Sequence, residues 1–80
     1  MGTRSSNDDP IYTIGVAARL TGLTARQIRY YETVGLVEPE RSRGNQRLFS
    51  KAHVGRLREI RALRDEMLPL EAIAKLLDTH

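Results

Sequence analysis

Eleven of the thirteen basic residues in this 80-residue chain are arginines, at positions 4, 19, 26, 29, 41, 43, 47, 56, 58, 61 and 64. A guanidinium is a flat fork of five donors, better matched to phosphate oxygens and the guanine edge than a lysine point charge. Their placement is uneven. From Arg19 to Arg58, nine basic residues face only Glu32, Glu38 and Glu40, a local net of +6, whereas Glu59 to His80 has three basic residues against five acids, a net of −2. Other reactive side chains are sparse. His53 and His80 are the only histidines and cysteine is absent. There is no metal-ligand spacing, no glycine-rich phosphate loop and no carboxylate pair in an apolar setting. Asp8-Asp9 reads as a turn or cap, and His53 as a helix-surface residue. An enzyme, a metal centre and a bound cofactor are therefore not expected. The chemistry on offer is recognition of a polyanion, and the blander reading is a solvated charged surface. Which of the two holds depends on the elements that carry the arginines.

Eighty residues and 9.1 kDa make one small domain without room for a second core or a large enclosed active site. With 40% hydrophobic and 29% charged residues, the composition is that of a globular chain rather than a disordered one. No apolar run approaches the roughly 18 residues of a membrane span, and no secretory signal pattern opens the chain. A cytoplasmic setting without membrane contact suits the missing cysteine. Met1-Gly2-Thr3-Arg4-Ser5-Ser6 fits the loose myristoylation pattern, which any Met-Gly start can meet. Residues 1–10 lack apolar periodicity and read as a flexible tail, with the domain over 11–80.

After a short extended lead-in at Ile11 to Thr13, Thr13 is a plausible N-cap for a helix carrying Ile14, Ala17, Ala18 and Leu20 or Thr21 on one face, stopped by Gly22. Thr24 and Gln27 form the T-x-x-Q capping-box pattern that opens a second helix. There Ala25, Ile28 and Tyr31 share the inward face, and Arg26, Arg29, Tyr30 and Thr33 the outward one. Gly35 ends it. Two short helices with a glycine turn between them match a helix-turn-helix. Leu36-Val37 begins an extended stretch that Pro39 keeps from being helical. Arg43-Gly44-Asn45 is a turn, and Arg47-Leu48-Phe49 a returning strand. The expectation is a two-stranded hairpin with Arg41, Arg43, Asn45 and Arg47 at its tip. Ser50 caps a third helix with Ala52, Val54, Leu57, Ile60 and Leu63 on its apolar stripe, running to about Glu66. Pro69 opens a fourth, with Leu70, Ile73, Ala74 and Leu77 inward. The fold class is mainly α: four helices, the first two a helix-turn-helix, with a two-stranded β-hairpin between the second and third.

Residues at the start of a recognition helix reach deepest into the major groove, which makes Arg26 and Gln27 the candidates for base edges, Arg26 for guanine and Gln27 for adenine. Thr24 sits at the same helix mouth. Arg29 and Tyr30, one turn later, suit phosphates, as do the hairpin residues Arg41, Arg43, Asn45 and Arg47, one of which could enter a narrow minor groove. Arg19 and Lys51 are weaker phosphate candidates. Tyr31 reads as core. Arg56, Arg58, Arg61 and Arg64 read as solvated or salt-bridged surface, Arg61 standing four residues before Asp65.

The strings Ile14-Gly15-Val16-Ala17, Arg26-Gln27-Ile28-Arg29-Tyr30-Tyr31-Glu32 and Gly35-Leu36-Val37, followed by Pro39, Arg41, Asn45, Arg47, Phe49 and Ser50 and then Leu70-Glu71-Ala72-Ile73, resemble the mercury-resistance regulator (MerR) family of bacterial transcription factors. The match runs from about Tyr12 to Leu77. Within the family, the string from Ala25 to Glu32 looks most like the nitrogen-responsive repressors that sense glutamine synthetase, with the heat-shock repressors next. The resemblance implies a winged-helix fold and double-stranded DNA as partner. It also implies a dimer on a palindromic operator and supports phosphate roles for Arg29 and Tyr30. It departs from the pattern in three places. Family members usually continue, beyond the equivalent of His80, into a long helix that pairs two subunits, so this chain is expected to be a monomer that pairs on DNA. The nitrogen group reads glutamine synthetase through a C-terminal segment that this sequence does not carry. Met67-Leu68-Pro69 stands where many members have glycine, and only a local difference in the turn is expected. The rival reading is a small winged-helix protein-interaction module or a DNA-architectural, excisionase-like accessory factor. It is told apart by whether Arg26, Arg29 and Tyr30 are exposed together.

Overall fold

The computed structural model describes residues 8–78. The myristoylation pattern, most of the expected tail and His80 lie outside them. The element order is β1 (Tyr12–Thr13), α1 (Ile14–Thr21), α2 (Ala25–Thr33), β2 (Glu40–Arg41), β3 (Arg47–Phe49), α3 (Lys51–Asp65) and α4 (Leu70–Asp78). Each of the first three helices starts where a side-chain oxygen can satisfy its free N–H groups. Thr13 Oγ1 accepts from Val16 N at 3.4 Å. Thr24 and Gln27 close the expected capping box, with Gln27 N bonded to Thr24 Oγ1 and Thr24 N to Gln27 Oε1. Ser50 forms a second box in which His53 takes the role usually filled by Glu or Gln: Ser50 N donates to His53 Nδ1 at 2.9 Å. His53 is thus half-buried, with its ring edge-on to Phe49, rather than a simple surface residue.

The same three helices end in a left-handed residue. Gly22 (φ +77) closes α1 with its N–H on Ala18 O. After α2, Gly35 (φ +83) donates to Glu32 O while Leu36 N reaches Tyr31 O, the paired bonds of a Schellman ending. This bond pattern turns Leu36 and Val37 into the core as irregular backbone. The expected strand at that point therefore starts only at Glu40. After α3 the same two bonds recur, Met67 N to Arg64 O and Leu68 N to Leu63 O, with Met67 itself at φ +66. The turn survives without glycine, at the cost of placing a side chain where Cβ crowds the backbone.

The sheet is antiparallel, in the order β1-β3-β2. Glu40 pairs with Leu48 and Arg41 with Arg47, as a hairpin requires, and Tyr12 and Thr13 pair with Phe49 and Leu48 on the other edge of β3. The wing expected as two strands thus has three. The extended lead-in to α1 satisfies the free edge of β3, Ile11 N adding a bond to Phe49 O at 3.1 Å, and so ties the start of α1 to the base of the wing. The core gathers Phe49, Ile28, Leu57, Ile60 and Ile73, all fully buried, with Ala17, Leu23, Tyr31 and Leu77 around them. Every helix contributes to it, and the apolar stripes read from the sequence face inward except at their ends: Ala52, in the first turn of α3, is exposed, and at the end of α1 Thr21 is buried while Leu20 is exposed.

Met67→Gly should relieve the strained turn and raise stability by about 1 kcal/mol. For a domain of this size that is a melting-point increase of roughly 4–8 °C, read by thermal denaturation followed by circular dichroism. An unchanged or lower melting temperature would contradict the strain.

Candidate nucleic-acid interface

Alternation along α2 separates two faces. Ile28 and Tyr31 are buried, while Arg26, Gln27, Arg29 and Tyr30 are exposed together. The turn before α2 is held from both sides. Thr21, almost fully buried, donates its hydroxyl to Ala17 O at 2.8 Å and accepts from Leu23 N at 3.2 Å. From α3, Arg58 donates to Leu20 O through two nitrogens, and Arg61 Nη1 reaches Thr21 O at 2.7 Å. These are the carbonyls that a helix C-terminus leaves without partners, and a cation is the favoured group there. Arg56 Nε bonds Leu36 O at 2.9 Å, fixing the chain as it leaves α2. Of the α3 arginines, expected as solvated or salt-bridged surface, Arg61 does keep the ion pair with Asp65 at 3.9 Å, but Arg56, Arg58 and Arg61 also hold the chain where it enters and leaves α2. Gly22 is the point of closest approach: a Cβ there would run into the Arg61 guanidinium.

Among the described residues, the arginine side chains fall into two sets. Arg19, Arg26, Arg29 and Arg43 are exposed and bond no other described residue. The remainder are engaged, Arg64 only through a long 3.5 Å contact to Leu68 O. Arg41 and Arg47 belong to the engaged set. Arg41 Nη2 lies 3.1 Å from Glu32 Oε2 and Arg47 Nε 2.5 Å from Glu32 Oε1, so one carboxylate on α2 holds both strands of the hairpin. Arg41 also donates to Asn45 O. Asn45 sits at φ 64, a left-handed conformation that asparagine tolerates, and its N–H donates to Ser42 O to shape the tip that presents Arg43. Of the expected hairpin contacts, then, Arg43 stands free, Asn45 builds the turn, and Arg41 and Arg47 are clasped by Glu32.

Thr24 and Gln27 are likewise occupied with each other. Gln27 Oε1 accepts from both Thr24 N and Thr24 Oγ1, at 2.9 and 3.3 Å. A two-bond contact to adenine needs that oxygen as well as the amide donors, so with the capping box closed Gln27 offers donors alone. Tyr30, half exposed, stands between the arginine face and a shallow groove lined by Val34, Leu36, Leu70 and Ala74. The sequence signal for Glu32 is that it is the one acid on an otherwise basic helix. For Arg56, Arg58 and Arg61 no local pattern marks the carbonyls they reach, which lie 20 to 40 residues away in sequence.

Arg61→Ala should destabilise the domain by about 1 kcal/mol through loss of the charged bond to Thr21 O, while Arg64→Ala, whose contact is long and exposed, should fall within about 0.5 kcal/mol of wild type. Urea denaturation of both variants measures the difference. Equal effects would contradict the assignment of Arg61 as the anchor of the turn.

Comparison with known proteins agrees with this geometry. The HTH-type transcriptional regulator GlnR of Bacillus anthracis is 48% identical over 68 residues, covering 85% of this chain and 53% of the relative. The regulator TnrA of Bacillus subtilis is 41% identical over 71 residues, 89% of this chain and 64% of the relative. The chain thus spans between half and two thirds of the length of these relatives, which are transcription regulators and not enzymes. Among solved structures, the transcription regulator PbrR691 from Ralstonia metallidurans, in complex with lead(II), superposes with a TM-score of 0.80 at 36% identity, over 86% of this chain and 55% of that one. HiNmlR, a MerR family regulator lacking the sensor domain and bound to promoter DNA, gives 0.80 at 25% identity, over 85% and 52%. The family model described as MerR HTH family regulatory protein matches residues 12–80, and with that match across the whole winged helix the chain belongs to the MerR family.

Proposed function

We propose that this domain reads double-stranded DNA in a sequence-dependent way for a bacterial transcription regulator, with the outer face of α2 in the major groove and the hairpin tip on the flanking backbone. The observation that carries the reading is the set of partnerless arginines: Arg26 and Arg29 on α2, Arg43 at the wing tip and Arg19 on α1 are free of other described residues, whereas the neighbouring arginines are engaged by the fold. Arg26, in the first turn of α2, is placed for a guanine edge. Arg29, Tyr30, Arg19 and Arg43 suit phosphates, which set register without reading sequence. Gln27 adds an amide donor. Promoter DNA in the complex of the related HiNmlR supports the same partner.

One copy presents one recognition helix and one wing. Tight binding therefore calls for two copies on a palindrome whose half-sites lie about one helical turn, or a multiple of it, apart. The likeness to GlnR and TnrA favours the nitrogen-responsive subgroup, with repression by occupying the operator. In that subgroup glutamine synthetase is the partner, sensed through a segment beyond this domain. No helix among the described residues is long and apolar enough to cross a membrane, and DNA as the partner favours the cytoplasm.

Selection from a pool of random duplexes, followed by sequencing, tests the reading. The wild-type chain should enrich a palindromic motif. Arg26→Ala should lose about 1–3 kcal/mol on that motif and relax the preference at one base pair of each half-site. Arg43→Ala should weaken all sequences alike and reduce the salt slope by about one. Enrichment that is unchanged in both variants would overturn the assigned face. A wild-type chain that enriches nothing would favour the protein-interaction reading, for which the groove beside Tyr30 is the surface.

A further inference from the structure

We propose that Glu32 is a specificity-determining residue: its carboxylate sits on Arg41 and Arg47 in the place a DNA phosphate would take, and so withholds both from duplex of arbitrary sequence. The inference rests on the DNA-reading function proposed above. Each carboxylate oxygen takes one guanidinium, Oε2 from Arg41 at 3.1 Å and Oε1 from Arg47 at 2.5 Å, the charge-assisted contact that a phosphate oxygen would otherwise make. The two arginines face each other across the β2–β3 pairing. The three side chains are 40%, 28% and 22% exposed, so the cluster lies at the surface, within reach of a DNA backbone, rather than sealed in the core. Partly exposed ion pairs contribute little to stability, and Phe49 already roots the wing in the core. A stability role alone leaves unexplained why two guanidiniums converge on the only acid of α2.

The consequence concerns affinity for the wrong DNA. Binding without sequence preference is driven by counterion release and scales with the number of phosphates neutralised, each adding about 0.9 to the steepness of the salt dependence. With Arg41 and Arg47 occupied, the wing offers Arg43 alone. Base contacts on α2 are unaffected by this count, so a low phosphate count widens the gap between a fitting site and a random one.

The test uses the full chain and a fluorescent duplex of scrambled sequence, titrated between 50 and 200 mM salt. Glu32→Gln keeps the side-chain size and an acceptor oxygen but removes the charge. It should steepen the salt slope by about one to two and so lose about four- to sixteenfold more affinity than wild type across that range. The triple variant Glu32→Gln/Arg41→Ala/Arg47→Ala should return to the wild-type slope. In the otherwise unchanged chain, Arg43→Ala should flatten the slope by about 0.9 and Arg41→Ala by less than half as much, a comparison that holds even if the Glu32 variant folds poorly. A slope unmoved in Glu32→Gln, or equal flattening by Arg41→Ala and Arg43→Ala, overturns the proposal while leaving DNA reading intact. A wild-type chain that binds no duplex at any salt overturns both.

Discussion

A single carboxylate couples the two parts of this molecule that face outward together. Glu32 stands on the third turn of α2 and reaches both strands of the hairpin, through Arg41 and Arg47. Phe49 roots the wing in the core beneath α2, and the carboxylate adds a surface link from the helix to both paired strands. Arg26 and Arg43 are thus presented from elements joined both in the core and at the surface. Reading a duplex depends on such joining, because base contacts and backbone contacts must be met in one placement. The rest of the architecture serves the same end from beneath, where Ile28 and Phe49 bury the inner faces of α2 and the wing in one core.

Arginine performs two different jobs here, and burial does not separate them. Partnership does. Arg56, Arg58 and Arg61 are spent on backbone carbonyls at the borders of the helix-turn-helix, where a helix end leaves acceptors exposed. Arg19, Arg26, Arg29 and Arg43 are spent on nothing within the described residues. A basic composition is then a poor guide to an interface, because four of the nine basic residues from Arg19 to Arg58 are engaged by the fold. The useful quantity is the number of cations left over once the fold has taken its share.

Much of the architecture was readable from local signals. Thr24-x-x-Gln27, Gly22 and Gly35 mark their helix ends because capping is short-range chemistry, and the 3.6-residue period of Ile28 and Tyr31 assigned the faces of α2 correctly. What escaped was nonlocal or chemically unusual. The third strand forms because β3 has a free edge and the lead-in to α1 happens to pass it. His53 completes a capping box through a ring nitrogen, outside the usual Glu or Gln pattern, and Met67 takes a turn conformation that its side chain disfavours. The capping role of Gln27 was evident, but not that closing the box uses the oxygen that a two-bond adenine contact would need. Arg41 and Arg47 were counted with Arg43 because sequence cannot show that Glu32 comes up against them in three dimensions.

The most direct test of the central claim is a map of backbone amide shifts by nuclear magnetic resonance as a duplex carrying the preferred motif is added. The account predicts that the largest shifts fall on two segments far apart in sequence, Thr24 to Tyr30 and Arg43 to Asn45, with α4 nearly silent. Shifts concentrated instead along Leu70 to Leu77 and the groove beside Val34, with the α2 face unmoved, would contradict it.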